Sequence, residues 1–367
     1  MTALDLDAAA ARGGEISCVC GPIPDSDVAL GREVWRLAAA FALAILAQAL
    51  MLTALPVAGA YSAPSGALAN LPYALMFFGA AIAGLPASLL LDQFGRQAAF
   101  ALGASFGVAG GAVAAWAILY RHFPALCVGA AWLGIAQGFA LFYRHAAAIA
   151  HLGGPRSALL VLLGGAGGGL LAPLAVGLCH QALGPLADAG LAALAGFASL
   201  AALPLLINLP HRFAEARHPQ AADQPRPSFW LATLTAAAAW FAMTHVMTRA
   251  PSGLIACGLA PAAIGGVAAW HLVLMYAPMA ITARWPRAIP TSLALTIGVA
   301  FALVSVALRR VAPVEIMTAL VLAGFGWSLA QVGAGRLLYD GRTLSKIALG
   351  LHDSFVLAAA LAGVLIA

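Results

Sequence analysis

Charge is scarce in this chain. Only 8% of its 367 residues are Asp, Glu, Lys or Arg, against about 25% in an ordinary soluble protein. A single lysine, Lys346, accompanies seventeen of the eighteen basic residues, which are arginines. So thin a polar coat excludes a water-soluble domain of this size. The five cysteines, Cys18, Cys20, Cys127, Cys179 and Cys257, are too dispersed for an extracellular disulfide framework. Cys18-Val-Cys20 has soft-metal chemistry, but two thiols in a polar tail are more simply incidental. Nucleotide chemistry is missing as well. The run GGAGGG (164–169) lacks the Lys-Ser/Thr of a phosphate loop and lies inside an apolar stretch, where glycines instead let helices approach closely. No nucleophile–base constellation is visible, so the chain reads as a non-enzyme with no bound organic cofactor.

What is present is apolar length: 63% of the residues are hydrophobic. A helix needs about 20 apolar residues to cross the hydrocarbon core, and lipid forces backbone groups to be satisfied within the segment. The runs are Ala/Leu/Gly-rich and do not alternate as barrel strands do. They predict an all-α polytopic membrane protein with spans at 34–60, 71–91, 97–119, 123–147, 157–179, 189–209, 229–249, 258–283, 288–308, 313–335 and 346–367. Residues 1–33 read as a cytoplasmic N-terminal tail without a signal peptide, and 210–228 as a Pro- and Arg-rich cytoplasmic linker between a bundle at 34–209 and a second at 229–367.

With the N-terminus inside, fourteen basic residues fall on the cytoplasmic side, and only Arg121, Arg249, Arg309 and Arg310 lie outside. The net charge of +5 therefore reflects cytoplasmic loops and implies no nucleic-acid partner. The fourth span ends near Arg144 and the tenth near Arg336, each before a basic loop and an Ala/Gly-rich helix, so the halves repeat in parallel. The second half is short by about one helix and a loop, so a twelfth span is expected to be missing.

The loop SLLLDQFGRQ (88–97) resembles the G-x-x-x-D-x-x-G-R-[RK] motif of the major facilitator superfamily. Asp92, Gly95 and Arg96 match, while Ser88 and Gln97 stand where glycine and a second base are usual. The matching loop of the second half, TARWPRA (282–288), keeps Arg284 and Arg287 without the Asp-x-x-Gly-Arg core. The resemblance implies two six-helix bundles, a substrate site between them, and a gating role for Asp92, Gly95 and Arg96, the charged pair linking helix ends in one of the alternating states.

Within that superfamily, MTHVM (243–247) and HLVLM (271–275) resemble the M-x-x-x-M and H-x-x-x-M motifs of the CcoA-like copper importers of bacteria, and LGLHDSF (349–355) also looks like that family. The nearest relatives lacking the metal motifs include riboflavin transporters. The resemblance implies copper import at the cytoplasmic (inner) membrane, with Met243, Met247, His271 and Met275 as ligands. A cytoplasmic copper chaperone or cytochrome oxidase assembly factor would be the partner, alongside the lipid bilayer.

Residues i and i+4 share a helix face, and soft thioethers with imidazole suit Cu(I). Ordinary packing is the competing account, since methionine fills gaps in apolar cores. Met279, Cys257 and His245 are secondary candidates for metal contact, and Met279 extends the His271 face. Cys257 sits at the outer end of the eighth span, and His245 points away from the methionine face toward a neighbouring helix. Met51 and Met76 read as packing. His352 and Asp353 enter the last span together, and Asp353 is the one carboxylate clearly inside a span. Proton coupling by that pair and capping of the helix start are both open on the sequence. Arg144 and His145 read as interfacial. The rival to copper is a small organic solute such as riboflavin, for which Trp240, Phe241, Trp270 and Tyr276 would supply aromatic lining.

Overall fold

A computed structural model of the chain describes residues 31–150, 154–209, 227–259, 261–286, 288–308, 312–339 and 344–367. The tail with Cys18 and Cys20, the linker at 210–226, Arg309, Arg310 and the side chain of Trp270 lie outside the described residues. The ordered segments are helices: α1 Arg32–Ser62, α2 Leu71–Leu119, α3 Phe123–Leu141, α4 Tyr143–Ala150, α5 Gly154–Leu183, α6 Ala187–Ile207, α7 Pro227–Ala256, α8 Pro261–Arg284, α9 Thr291–Ala307, α10 Pro313–Tyr339 and α11 Lys346–Ile366.

Two features reconcile these elements with eleven membrane crossings. The 49 residues of α2 are far more than the 20 or so needed to span a bilayer. The helix breaks at Gly95, whose φ of 81° and ψ of 174° only glycine adopts without strain, giving two arms at 71–94 and 96–119. Conversely, α3 and the short α4 together make one crossing over Phe123–Ile149. The expected spans therefore all correspond to helices, and the chain is an all-helical, multi-pass membrane protein.

Small residues set the distances between helices. Glycines 164 and 168 of α5 lie against the α1 backbone at Ala38 and Ala42, where a Cβ on either would strike a carbonyl. The helices of the first half pack on one another, as do those of the second. The halves meet along two seams, α2 on α11 and α5 on α8. At the first seam a Cβ on Gly84 would lie 2.7 Å from Ser354 Oγ and 3.0 Å from the Gly350 carbonyl. Ser354 Oγ also accepts from the Leu85 amide at 3.2 Å. Both contacts are near the end of the bundle that carries Asp92, Arg96 and Lys346, here called the basic end. The same end ties α1, α2 and α6 together: Arg36 Nη1 donates to the Asn208 carbonyl at 2.6 Å and Gln97 Nε2 to the Leu209 carbonyl at 2.5 Å.

Candidate functional site

The densest polar cluster in the described interior lies where α4 of the first half meets α10 and α11 of the second. Asp353 is fully buried two turns into α11. Its Oδ1 accepts from Arg144 Nη2 at 2.5 Å, and its Oδ2 lies 3.0 Å from His145 Nε2. Arg144 Nη1 donates to Gln331 Oε1 at 3.0 Å, and the Tyr339 hydroxyl sits 2.5 Å from His145 Nδ1. One tautomer satisfies the whole set: His145 donates from Nε2 to the carboxylate and accepts the Tyr339 proton at Nδ1. The neighbouring His352 is held separately. Thr233 Oγ1 gives its proton to the Phe229 carbonyl and stands 2.8 Å from His352 Nδ1, which therefore donates.

This cluster spans the boundary between halves. Burying such an ion pair carries a desolvation penalty of several kcal/mol per ion, so its net contribution to stability is small. Breaking it by removing one partner costs about 3–5 kcal/mol, because the other charge is left alone. Helices that separate here must therefore neutralise or hydrate both charges.

Toward the middle of the molecule lies an aromatic layer. Trp240 of α7 and Trp327 of α10 meet edge to face at 5.5 Å, and Tyr276 of α8 meets Trp327 at 6.3 Å. Tyr276 crosses the second seam: a Cβ on Gly165 of α5 would lie 2.5 Å from its hydroxyl and 3.1 Å from Phe41 of α1. All three rings are buried, and the indole N–H groups of Trp240 and Trp327 have no partner among the described residues. The amide of Gln331, one turn along α10 from Trp327, likewise has an unpartnered Nε2. A buried donor without an acceptor costs about 1–3 kcal/mol. The layer is thus apolar on its ring faces and carries donors without acceptors.

The residues singled out from sequence distribute as follows. Met243, Met275 and Met279 are buried in the contiguous core that also contains the aromatic layer, and Met247 packs at its margin. The helices bearing the two motif pairs, α7 and α8, barely touch; α7 packs equally on α10 and α11, and α8 packs chiefly on α10. His271 faces that helix, with Nδ1 2.7 Å from the Leu320 carbonyl. Nδ1 must donate there, which leaves Nε2 as a bare, buried acceptor. His245 stacks on Phe241 at 5.8 Å on its own helix, and Cys257 is half-buried at the end of α7. Asp92 and Arg96 do not pair with each other. Asp92 takes Lys346 across the first seam at 2.6 Å, whereas Arg96 is buried against Glu33 at 3.0 Å.

Three expectations are corrected. Arg144 and His145 are not interfacial: they are 4% and 0% exposed, because Asp353 of α11 and Gln331 and Tyr339 of α10 close over them. Asp353 does not cap a helix start, since Ser345 Oγ accepts from the Ala348 amide there. Nor does it pair with His352; its partners come from the other half. Gln331, Tyr339 and Trp327 were missed. The i, i+4 spacing of Trp327 and Gln331 on a glycine-rich helix was the available signal. Met51 and Met76 line a cavity of the first half with Gln48, Gln137 and Tyr143.

The comparisons with known proteins agree with this architecture. The family described as "Sugar (and other) transporter" matches residues 38–143. The riboflavin transporter RfnT of Brucella anthropi is 29% identical over 293 residues, covering 76% of this chain and 73% of that protein. The crystal structure of the human organic anion transporter MFSD10 superposes with a TM-score of 0.67 at 16% identity, covering 94% of this chain and 93% of its own. The proton:xylose symporter XylE, of the major facilitator superfamily, gives 0.68 at 14% identity, covering 92% and 87%. The expected copper importers find no support in these matches. By helix order, seams and superposition, the chain adopts the fold of the major facilitator transporters.

Proposed function

We propose that this chain is a secondary transporter that carries a small organic solute of the riboflavin kind by alternating access. One observation carries the reading: a buried layer of edge-to-face rings, Trp240, Trp327 and Tyr276, beside the boundary between halves, whose unpartnered indole donors suit a heteroaromatic with carbonyl acceptors. The similarity to a riboflavin transporter over three quarters of the chain supports it. In this reading the basic end faces the cytoplasm of a bacterium and is closed in the present state, and import follows when the first seam opens. The methionines around the layer act as adaptable packing against the ring rather than as ligands. A gradient supplies the energy, and Asp353 is the group that takes up a proton. A proton on Asp353 removes the carboxylate charge that ties α11 to α4, and Arg144 is then hydrated as the seam opens.

A second reading, copper import, has one observation in its favour. His271 donates from Nδ1 to a backbone carbonyl and leaves Nε2 bare, the arrangement a metal-binding imidazole requires. Met275 on the same face would be its thioether partner, with Met243 and Met247 arriving from α7 in another state.

Purified protein in liposomes separates the two. Riboflavin accumulation is read by fluorescence, and radiocopper uptake is read in parallel. The expected result is riboflavin accumulation that depends on an imposed pH gradient, is lost in Trp327→Ala and survives Met243→Ala/Met247→Ala. Copper uptake without riboflavin uptake, abolished by the double methionine change, would transfer the function to the second reading.

A further inference from the structure

Gln331 stands between the two parts of the site, bonded to Arg144 and one helical turn from Trp327. Its side chain is 3% exposed and lines a cavity between α5 and α10 with Arg144, Leu159, Tyr339 and His352. The orientation of its amide is fixed by chemistry, because a guanidinium only donates. The group 3.0 Å from Arg144 Nη1 must be the oxygen. The two N–H groups of Nε2 therefore point away from Arg144 and meet no acceptor among the described residues. One helical turn earlier on the same face stands Trp327, at the centre of the aromatic layer.

We infer that Gln331 is the positioning residue that couples solute binding to the charged lock between halves, its N–H groups taking a carbonyl or hydroxyl oxygen of the solute while its oxygen holds Arg144. The inference rests on the organic-solute reading. An amide is planar and rigid, so the nitrogen cannot move toward a ligand without moving the oxygen with it. A solute seated on the rings and drawing Nε2 toward itself withdraws Oε1 from Arg144. Arg144 then keeps only Asp353, the contact between α4 and α10 is lost, and the lock between the halves weakens. The solute is accordingly an acceptor-bearing aromatic. A ring of the same size without an acceptor binds the layer without loosening the lock. Occupancy by solute and protonation of Asp353 act on the same guanidinium from its two sides.

The test separates binding from coupling. Spin labels are placed at Phe94→Cys on α2 and Ile347→Cys on α11, both exposed at the basic end, in a chain whose native cysteines are replaced. Distances are measured in lipid nanodiscs with and without riboflavin, and binding is followed by quenching of flavin fluorescence. In the otherwise unaltered protein, riboflavin is expected to bind and to lengthen the distance. Gln331→Met, which has neither donor nor acceptor, is expected to bind about tenfold more weakly and to show no lengthening even at saturation. Gln331→Glu, which still offers Arg144 an oxygen, guards against misfolding of the first variant and should show the same loss. Full lengthening at saturation in either variant makes Gln331 an ordinary binding contact and overturns the coupling. Binding without lengthening in the unaltered protein overturns it as well while leaving the cargo standing. Absence of riboflavin binding there overturns the cargo and the coupling together.

Discussion

Asp92 and Asp353 each make a cation pair that joins the first half to the second, one at the edge of the bundle and one inside it. Asp92 meets Lys346 at 2.6 Å with its side chain 67% exposed, while Asp353 meets Arg144 at 2.5 Å and is fully buried. The geometry is nearly the same and the physics is not. An exposed pair contributes about 0.2–1 kcal/mol and is screened by salt. The buried pair is nearly neutral as a whole, yet separating its members costs several times more. The surface contact can therefore form and dissolve freely as helices move, while the interior one makes a state persist until something relieves it.

The largest effect expected follows from that contrast. Asp353→Leu leaves Arg144 buried without its carboxylate and should destabilise the folded protein by about 3–5 kcal/mol, read as a large fall in the thermal unfolding midpoint of the purified protein. Adding Arg144→Leu removes the orphaned charge and should recover most of the loss. A double variant no more stable than Asp353→Leu alone would show that the network does not behave as a charge pair, and the contrast between edge and interior would collapse.

The next effect sharpens the comparison by acting on the same seam without touching a charge. A Cβ on Gly350 would lie 2.5 Å from Ser88 Oγ and 2.9 Å from the Gly84 carbonyl. The carbonyl cannot yield, so Gly350→Val should force α2 and α11 apart at a cost of about 1–3 kcal/mol to the closed state. Distance measurements at the basic end should find the separated arrangement populated without solute or acid. If the closed arrangement survives, packing at this seam does not limit closure.

These positions also mark how far the sequence could be read. The spans were legible because lipid leaves a chain few ways to satisfy its backbone, and because arginines sort to one side of a bilayer. Gly95 was legible as a bend, since its neighbours Asp92 and Arg96 announce a turn. The cluster around Asp353 was not. Arg144 and Asp353 are separated by 209 positions in the chain, and no local pattern joins them. Arg144 and His145 near the end of a span look like interfacial residues until Asp353 is seen bonded to both. The methionine pairs illustrate the converse limit. Their local spacing is suggestive, but α7 and α8 barely touch in the present state, and spacing within one helix says nothing about its neighbour.

At the aromatic layer the expected effect is smaller and confined to function. Trp327→Phe keeps an apolar ring but loses the indole N–H, which has no partner in the present state. Stability should therefore be unchanged or slightly raised, since an unsatisfied donor is removed. Riboflavin affinity should fall by about one hydrogen bond, roughly 0.5–1.5 kcal/mol or a few-fold in Kd. Unfolding midpoint and flavin binding measured on the same preparation check the opposite signs.

The smallest effect belongs to the exposed pair and closes the comparison. Asp92→Asn keeps the size of the side chain and removes its charge. The closed state should lose no more than about 0.2–1 kcal/mol. Charges this exposed interact through solvent, where the screening length falls from about 10 Å at 0.1 M salt to about 3 Å at 1 M. The difference between Asp92→Asn and the unaltered protein, measured as the closed fraction at the basic end, should therefore vanish in molar salt. The difference produced by Asp353→Leu should persist there, because ions do not enter a cluster sealed by α4, α10 and α11. A salt-insensitive Asp92 effect would mean that the contact is dehydrated when the halves close, and that the edge of the bundle shares the physics of its interior.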